Sequence, residues 1–111
     1  MVRLITHLKR RPGMDPEEFQ RHWRERHGPL VREKLGHHIV RYEQYPPVEG
    51  QPWDGVAMIW FDSPADFDAF LADPAYTADV LPDEQAFLDH SGLAFQVVHD
   101  DPRVIIGEDA G

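Results

Sequence analysis

The 111 residues contain no cysteine, which excludes disulfides, thiolate nucleophiles and thiolate metal ligands. No apolar run approaches the roughly 18 residues of a membrane-spanning helix, and the start, Met1 to Lys9, has neither a long apolar segment nor a cleavage-like site. Neither secretion nor membrane insertion is expected, and a cytoplasmic home is the simplest expectation. The glycine-rich dinucleotide fingerprint, the phosphate loop and the HExxH zinc pair are also missing. Ser91 lacks the glycine-flanked turn of an esterase nucleophile. Any chemistry is therefore expected from side chains lining a cavity, with no cofactor.

Basic charge is scarce in one half only. Residues 1–45 hold ten Lys/Arg against six acids, a balance of +4, whereas residues 46–111 hold Arg103 alone against fourteen acids, a balance of −13. The two parts should attract each other in a compact fold. The overall charge of −9 repels phosphates, so no nucleic-acid partner is expected.

What is present reads as one domain over residues 1–111, with a frayed tail from about 107. Residues 2–8 alternate as a strand, with Val2, Leu4, Thr6 and Leu8 on one face and Arg3, Ile5 and His7 on the other. Asp15-Pro16-Glu17-Glu18 opens a helix with a cap, a proline at the first helical position and an acid three residues on, and Phe19 and Trp23 form its apolar stripe. Gly28-Pro29 predicts a break or kink, with a second short helix from Pro29 in the first case and Leu30 extending the stripe if the helix passes Gly28. Strands are expected over 38–45, 54–61 and 93–99, and a short one over 104–106. Ser63-Pro64-Ala65-Asp66 opens another helix with Phe67, Phe70 and Leu71 inward, Asp73-Pro74 stops it, and 82–88 forms a further short helix. This order predicts an α+β, ferredoxin-like fold, a four-stranded antiparallel sheet covered on one face by helices. The other face, with Ile5, Met58, Trp60 and alternate residues of the last strand, is too apolar for water, so a face-to-face homodimer is expected.

Histidines and tyrosines are the candidates for chemistry. His22 and His27 lie five apart, about 140° on an ideal α-helix, so they should not share a metal, and His37-His38 should diverge as neighbours; no metal site is expected. His22 reads as a solvent-facing helix residue. His27, beside Gly28-Pro29, either caps a freed carbonyl or turns into a pocket as an acid or base. His7 is either a satisfied interface residue or a pocket base. Tyr42 and Tyr76 are either packing residues or phenols facing the cavity. Ile5, Met58, Trp60 and Phe95 are the expected walls, which suit a small hydrophobic or aromatic molecule.

Lys9-Arg10-Arg11-Pro12-Gly13-Met14, Glu18-Phe19, Trp23, His27-Gly28-Pro29-Leu30, Asp54-Gly55-Val56-Ala57 and Trp60-Phe61 together resemble the EthD family, over roughly residues 2 to 99. The resemblance implies a dimeric α+β barrel, two ferredoxin-like subunits whose sheets enclose a central space with helices on the outer face. The superfamily it points to includes antibiotic-biosynthesis-type monooxygenases, aromatic polyketide cyclases and dehydratases, muconolactone isomerases, haem-binding peroxidases and stress-response proteins. By similarity to the plant cyclases, His7 stands for a first-strand histidine, and Tyr76 stands where a second histidine follows a Pro-Ala pair. The resulting expectation is a cofactor-independent enzyme that removes a proton next to a carbonyl, with His7 or His27 as base and Tyr76 or Tyr42 hydrogen-bonding the enolate. The rival expectation is a non-catalytic accessory or ligand-binding dimer, including a haem carrier.

Overall fold

A computed structural model describes residues 1–108. Strand β1 spans Val2–Leu8, and its buried positions Val2, Leu4 and Leu8 are those that the alternation assigns to one face. Asp15 then accepts the backbone N–H of Glu17 at 2.8 Å and starts α1 (Pro16–His22) with proline in the first turn. Among the described residues Glu18 makes no return bond, so the cap is carried by Asp15 alone.

Of the two outcomes expected at Gly28-Pro29, the break does not occur. A π turn, Trp23–His27, follows α1 directly and runs into α2 (Gly28–Leu35) without leaving helical dihedrals. The Gly28 N–H bonds the Trp23 carbonyl five residues back, so the wider turn absorbs the residue that the proline ring would otherwise displace. The same device recurs later. After β2 (Arg41–Tyr45), β3 (Gly55–Phe61) and α3 (Pro64–Ala72), the chain turns helical again at Pro74, passes a π turn at Tyr76–Val80 and continues as α4 (Leu81–Phe87). The Leu81 N–H bonds the Tyr76 carbonyl, and Pro82 follows. What the sequence presents as two interrupted segments are thus two bent helices, each with a π turn before its inner proline. Ser63 caps α3 as expected, while Leu71 is exposed rather than buried, at the edge of the space between helices and sheet.

Strand β4 (Ala94–His99) completes an antiparallel sheet of order β2-β3-β1-β4. The α+β architecture with outer helices stands. The barrel does not: among the described residues no strand pairs outside β2 or β4, which are open edges, and the sheet is not closed on itself. Residues 104–106 form no strand, and Ile105 and Ile106 are exposed. The end of the predicted frayed tail, residues 109–111, lies outside the described residues.

Two buried clusters fill the space between sheet and helices. One gathers Val2, Leu4, Val31, Leu35, Ile59, Phe61, Phe70 and Val80; the other gathers Leu8, Met14, Phe19, Trp23, Ala57, Phe87 and Leu88. Gly55 is what lets the second form. A Cβ added there would fall 2.5 Å from Cζ3 of Trp23, and Trp23 is almost completely buried, so neither can yield cheaply. Gly55→Ala is therefore expected to destabilise the fold by about 1–3 kcal/mol, read as a lower urea midpoint. A Gly92→Ala control, whose nearest neighbours are the Cβ and Cγ of the flexible Lys9 side chain at 3.0 and 3.1 Å, should lose less.

Candidate active site

Between the sheet and the bent helices lies a cavity of about 290 Å³ with predominantly apolar walls. The sheet contributes Leu4, Thr6, Leu8, Tyr42, Ala57 and Ile59; the helical layer contributes residues from both π turns, Trp23 and His27 from the first, Tyr76 and Val80 from the second. A π turn re-aims side chains relative to the regular helix on either side. Here both turns aim theirs inward.

His27 is the central polar group. It is buried, and its Nδ1 donates to Asp83 Oδ2 at 2.8 Å. The other carboxylate oxygen accepts from Nε2 of His22 at 2.9 Å. An ionised carboxylate only accepts, so the contact places the His27 proton on Nδ1 and leaves the Nε2 lone pair free. Among the described residues Nε2 of His27 has no hydrogen-bond partner. Burial pulls the imidazole below its ordinary value of 6.5; the bond to Asp83 and the nearby Glu84 charge pull the other way without overcoming it. The ring is neutral at pH 7, a base held in one tautomer. Phe87 lies under both histidines, with centroid distances of 4.6 Å to His22 and 4.9 Å to His27.

His22 is thus not the solvent-facing residue expected. The 140° separation from His27 holds for an α-helix, but a π turn closes i to i+5, which brings residues five apart back toward one side. Asp83 was missed as a partner, although Pro82-Asp83-Glu84 was visible as a helical segment.

The other polar groups of the cavity come from both layers, Tyr76 and Glu84 from the helices and Tyr42 from the sheet. The Tyr76 hydroxyl donates to both carboxylate oxygens of Glu84, at 3.0 and 3.2 Å, and burial, reinforced by that carboxylate, raises its pKa far above the ordinary 10. Its proton is committed to Glu84. The Tyr42 hydroxyl instead accepts from Nε2 of Gln44 at 3.2 Å, which leaves its own O–H free to donate. Burial raises its pKa, against the Gln44 amide and the Trp23 indole N–H, so Tyr42 stays protonated. Gln44 also donates to the Trp23 carbonyl at 3.0 Å and ties this strand to the first π turn.

The expected site residues divide between the two faces of the sheet. His27, Tyr42, Tyr76 and Phe95 line the cavity. His7, Ile5, Met58 and Trp60 stand on the face turned away from the helices and do not line it. His7 there packs against Trp53, with ring centroids 5.4 Å apart, and Arg3 stacks on Trp60 at 4.6 Å. Arg10 is taken up by Asp54 and the Met14 carbonyl. Glu84 and His90 at the cavity were missed as candidates, for the same reason as Asp83: their significance depends on contacts far apart in sequence.

An open four-stranded sheet under two bent helices, with a histidine–aspartate pair beside the apolar space between them, defines a small α+β protein with an internal cavity. The match of residues 11–91 to the EthD domain model places it further: the chain belongs to the EthD family. Among solved structures it is similar to an ethyl tert-butyl ether d (EthD) family protein from Bacillus halodurans, at 20% identity and TM-score 0.69, covering 90% of this chain and 98% of that one. A dimeric protein of ferredoxin-like fold from Bacteroides fragilis is similar at 17% identity and TM-score 0.66, covering 87% and 93%. SnoaB, a cofactor-independent oxygenase from Streptomyces nogalater, is similar at 16% identity and TM-score 0.65, covering 93% and 95%. At these identities the likeness is one of fold. No curated protein matches the sequence. Among the described residues, no helix is long and apolar enough to cross a membrane.

Proposed function

We propose that the cavity binds a flat, predominantly apolar molecule bearing a carbonyl group, and that His27 removes a proton from the carbon next to it. The observation that carries this reading is a buried imidazole whose Nδ1 is fixed by Asp83 and whose Nε2 has no protein partner, set in a cavity with apolar walls. Nε2 takes the proton, the Asp83 carboxylate stabilises the imidazolium that forms, and the free Tyr42 O–H hydrogen-bonds the enolate oxygen. The enolate then leads to cyclisation, dehydration or isomerisation, or it reacts with dioxygen, the last in keeping with the fold shared with SnoaB.

The test uses the purified protein in deuterated buffer with a panel of aromatic ketones and polyketide-like diketones. Quenching of tryptophan fluorescence selects those that bind. Accelerated deuterium incorporation next to the carbonyl of a bound compound is the expected result. Binding of several such ketones with no exchange above the buffer rate would contradict the reading and leave a ligand-binding accessory protein.

The functional unit in this reading is a homodimer. Ile5, Val56, Met58, Trp60 and Val98 form an apolar stripe on the helix-free face, each half-buried in the single chain, and dimers are known in this fold, as in the Bacteroides fragilis protein. A second copy laid on this face would remove the stripe from water. Trp60→Glu should convert a dimer in light scattering into a monomer. A wild-type chain that is already monomeric at micromolar concentration would overturn the dimer.

A further inference from the structure

We propose that His37, His38 and Asp73 form a binding site for a zinc-like divalent transition-metal ion, which clips the end of α2 to the start of the second bent helix. The site lies apart from the catalytic cavity and does not rest on the reading of His27.

The chain assembles these groups from two element ends. Helix α2 gives way at Gly36 to a single 3-10 turn, Gly36–His38. Consecutive residues in such a tight turn present side chains to neighbouring directions, not opposite ones as in a strand. The two imidazoles accordingly do not diverge: their ring centroids lie 4.0 Å apart. Asp73 sits between α3 and the helical turn that begins at Pro74. Its Oδ1 accepts the Ala75 N–H at 2.9 Å, which fixes the carboxylate and leaves Oδ2 facing the histidines.

Both Nε2 atoms converge on that one oxygen, at 2.8 Å from His38 and 3.3 Å from His37. The three ligand atoms all lie within 4.8 Å of one another. Zinc–nitrogen and zinc–oxygen bonds of about 2.0–2.2 Å at tetrahedral angles place ligand atoms about 3.3 Å apart. The His37 spacing already meets that value; His38 must withdraw by about half an ångström. His37 is 63% exposed, and its ring lies against that of His38 beside Asp73. Two imidazoles and one carboxylate suit a borderline metal and leave coordination positions for water. The Ala75 N–H bond to Asp73 is the kind of outer contact that orients a ligating carboxylate.

The test uses metal-free, tag-free full-length protein. Calorimetric titration with Zn²⁺ at pH 7.5 should show one ion per chain and a raised unfolding temperature, and Co²⁺ should give visible absorption bands. His37→Ala should bind far more weakly, beyond the roughly 10–100-fold that losing a ligand's hydrogen-bond partner costs. Asp73→Asn keeps the cap, since asparagine accepts the Ala75 N–H equally well, yet loses the charged ligand. It should fold with an unchanged metal-free unfolding temperature and lose zinc uptake. No uptake by the wild-type protein, or wild-type affinity in either variant, would overturn the site.

Discussion

His27→Gln should lower the exchange of substrate protons by roughly 10²–10⁴-fold, the range supplied by a positioned general base. Glutamine keeps a hydrogen-bonding group near Asp83 but offers no basic nitrogen to the cavity. Asp83→Asn should act by a different route. Its carbonyl oxygen can still accept from Nδ1, but the charge that stabilises the imidazolium is gone, so the plateau rate falls while ligand binding persists. The pH profile separates the two roles. In the wild-type protein His27 must be neutral to act, and burial holds its pKa below 6.5, so activity rises with pH along a limb below that value and is full at pH 7. Asp83 works against burial by raising that pKa; without it the limb moves to lower pH, although the rate at its top is smaller. A purely structural aspartate would lower the amount of folded protein and leave the limb in place.

Phe87→Ala should cost about 3–5 kcal/mol, the range for truncating a fully buried aromatic side chain. Phe87 has no exposed surface, and Phe19, His22 and His27 all stack against it within 5.3 Å. The void left behind would open under the histidine pair, so the loss combines lost apolar burial with a cavity that the two helices cannot easily close. Urea unfolding monitored by circular dichroism measures it. A loss under 1 kcal/mol would mean that the helices collapse into the space and that the pair is not rigidly seated.

The parts of the fold that a sequence discloses well are those governed by local rules. β1 and β3 alternate because each has one face on the core, and Asp15 and Ser63 act as caps through backbone groups two or three residues away. The two π turns escaped the same reasoning because Pro29 and Pro82 carry the ordinary signal for a helix end. The wider turn that tolerates each proline leaves no residue pattern of its own. That one misreading displaced His22 onto the solvent face and hid its shared partner.

The candidate site was legible in three of the polar residues that line the cavity but not in their partners. His27, Tyr42 and Tyr76 stood out as chemistry-bearing residues near a break or on a strand. Asp83 lies 56 positions from His27, and no local period connects the two. Alternation put His7 on the face away from the first strand's buried side, and the structure shows that this face lies outside the cavity. The closed barrel followed from the family likeness together with the expectation of two sheets packed face to face, and the strand order with two open edges corrects it. The charge asymmetry had direct counterparts: Arg3 pairs with Asp100, Arg10 with Asp54, and Asp79 lies 3.9 Å from Lys34.

The account stands most directly on the state of one imidazole. Nitrogen-detected NMR of the protein labelled at histidine, titrated from pH 5 to 8, reads the tautomer and the pKa of His27 together. The account predicts a proton on Nδ1, a bare Nε2 at pH 7 and a pKa below 6.5. A proton on Nε2, or a pKa above 6.5, would contradict it, because no free base would then face the cavity at neutral pH.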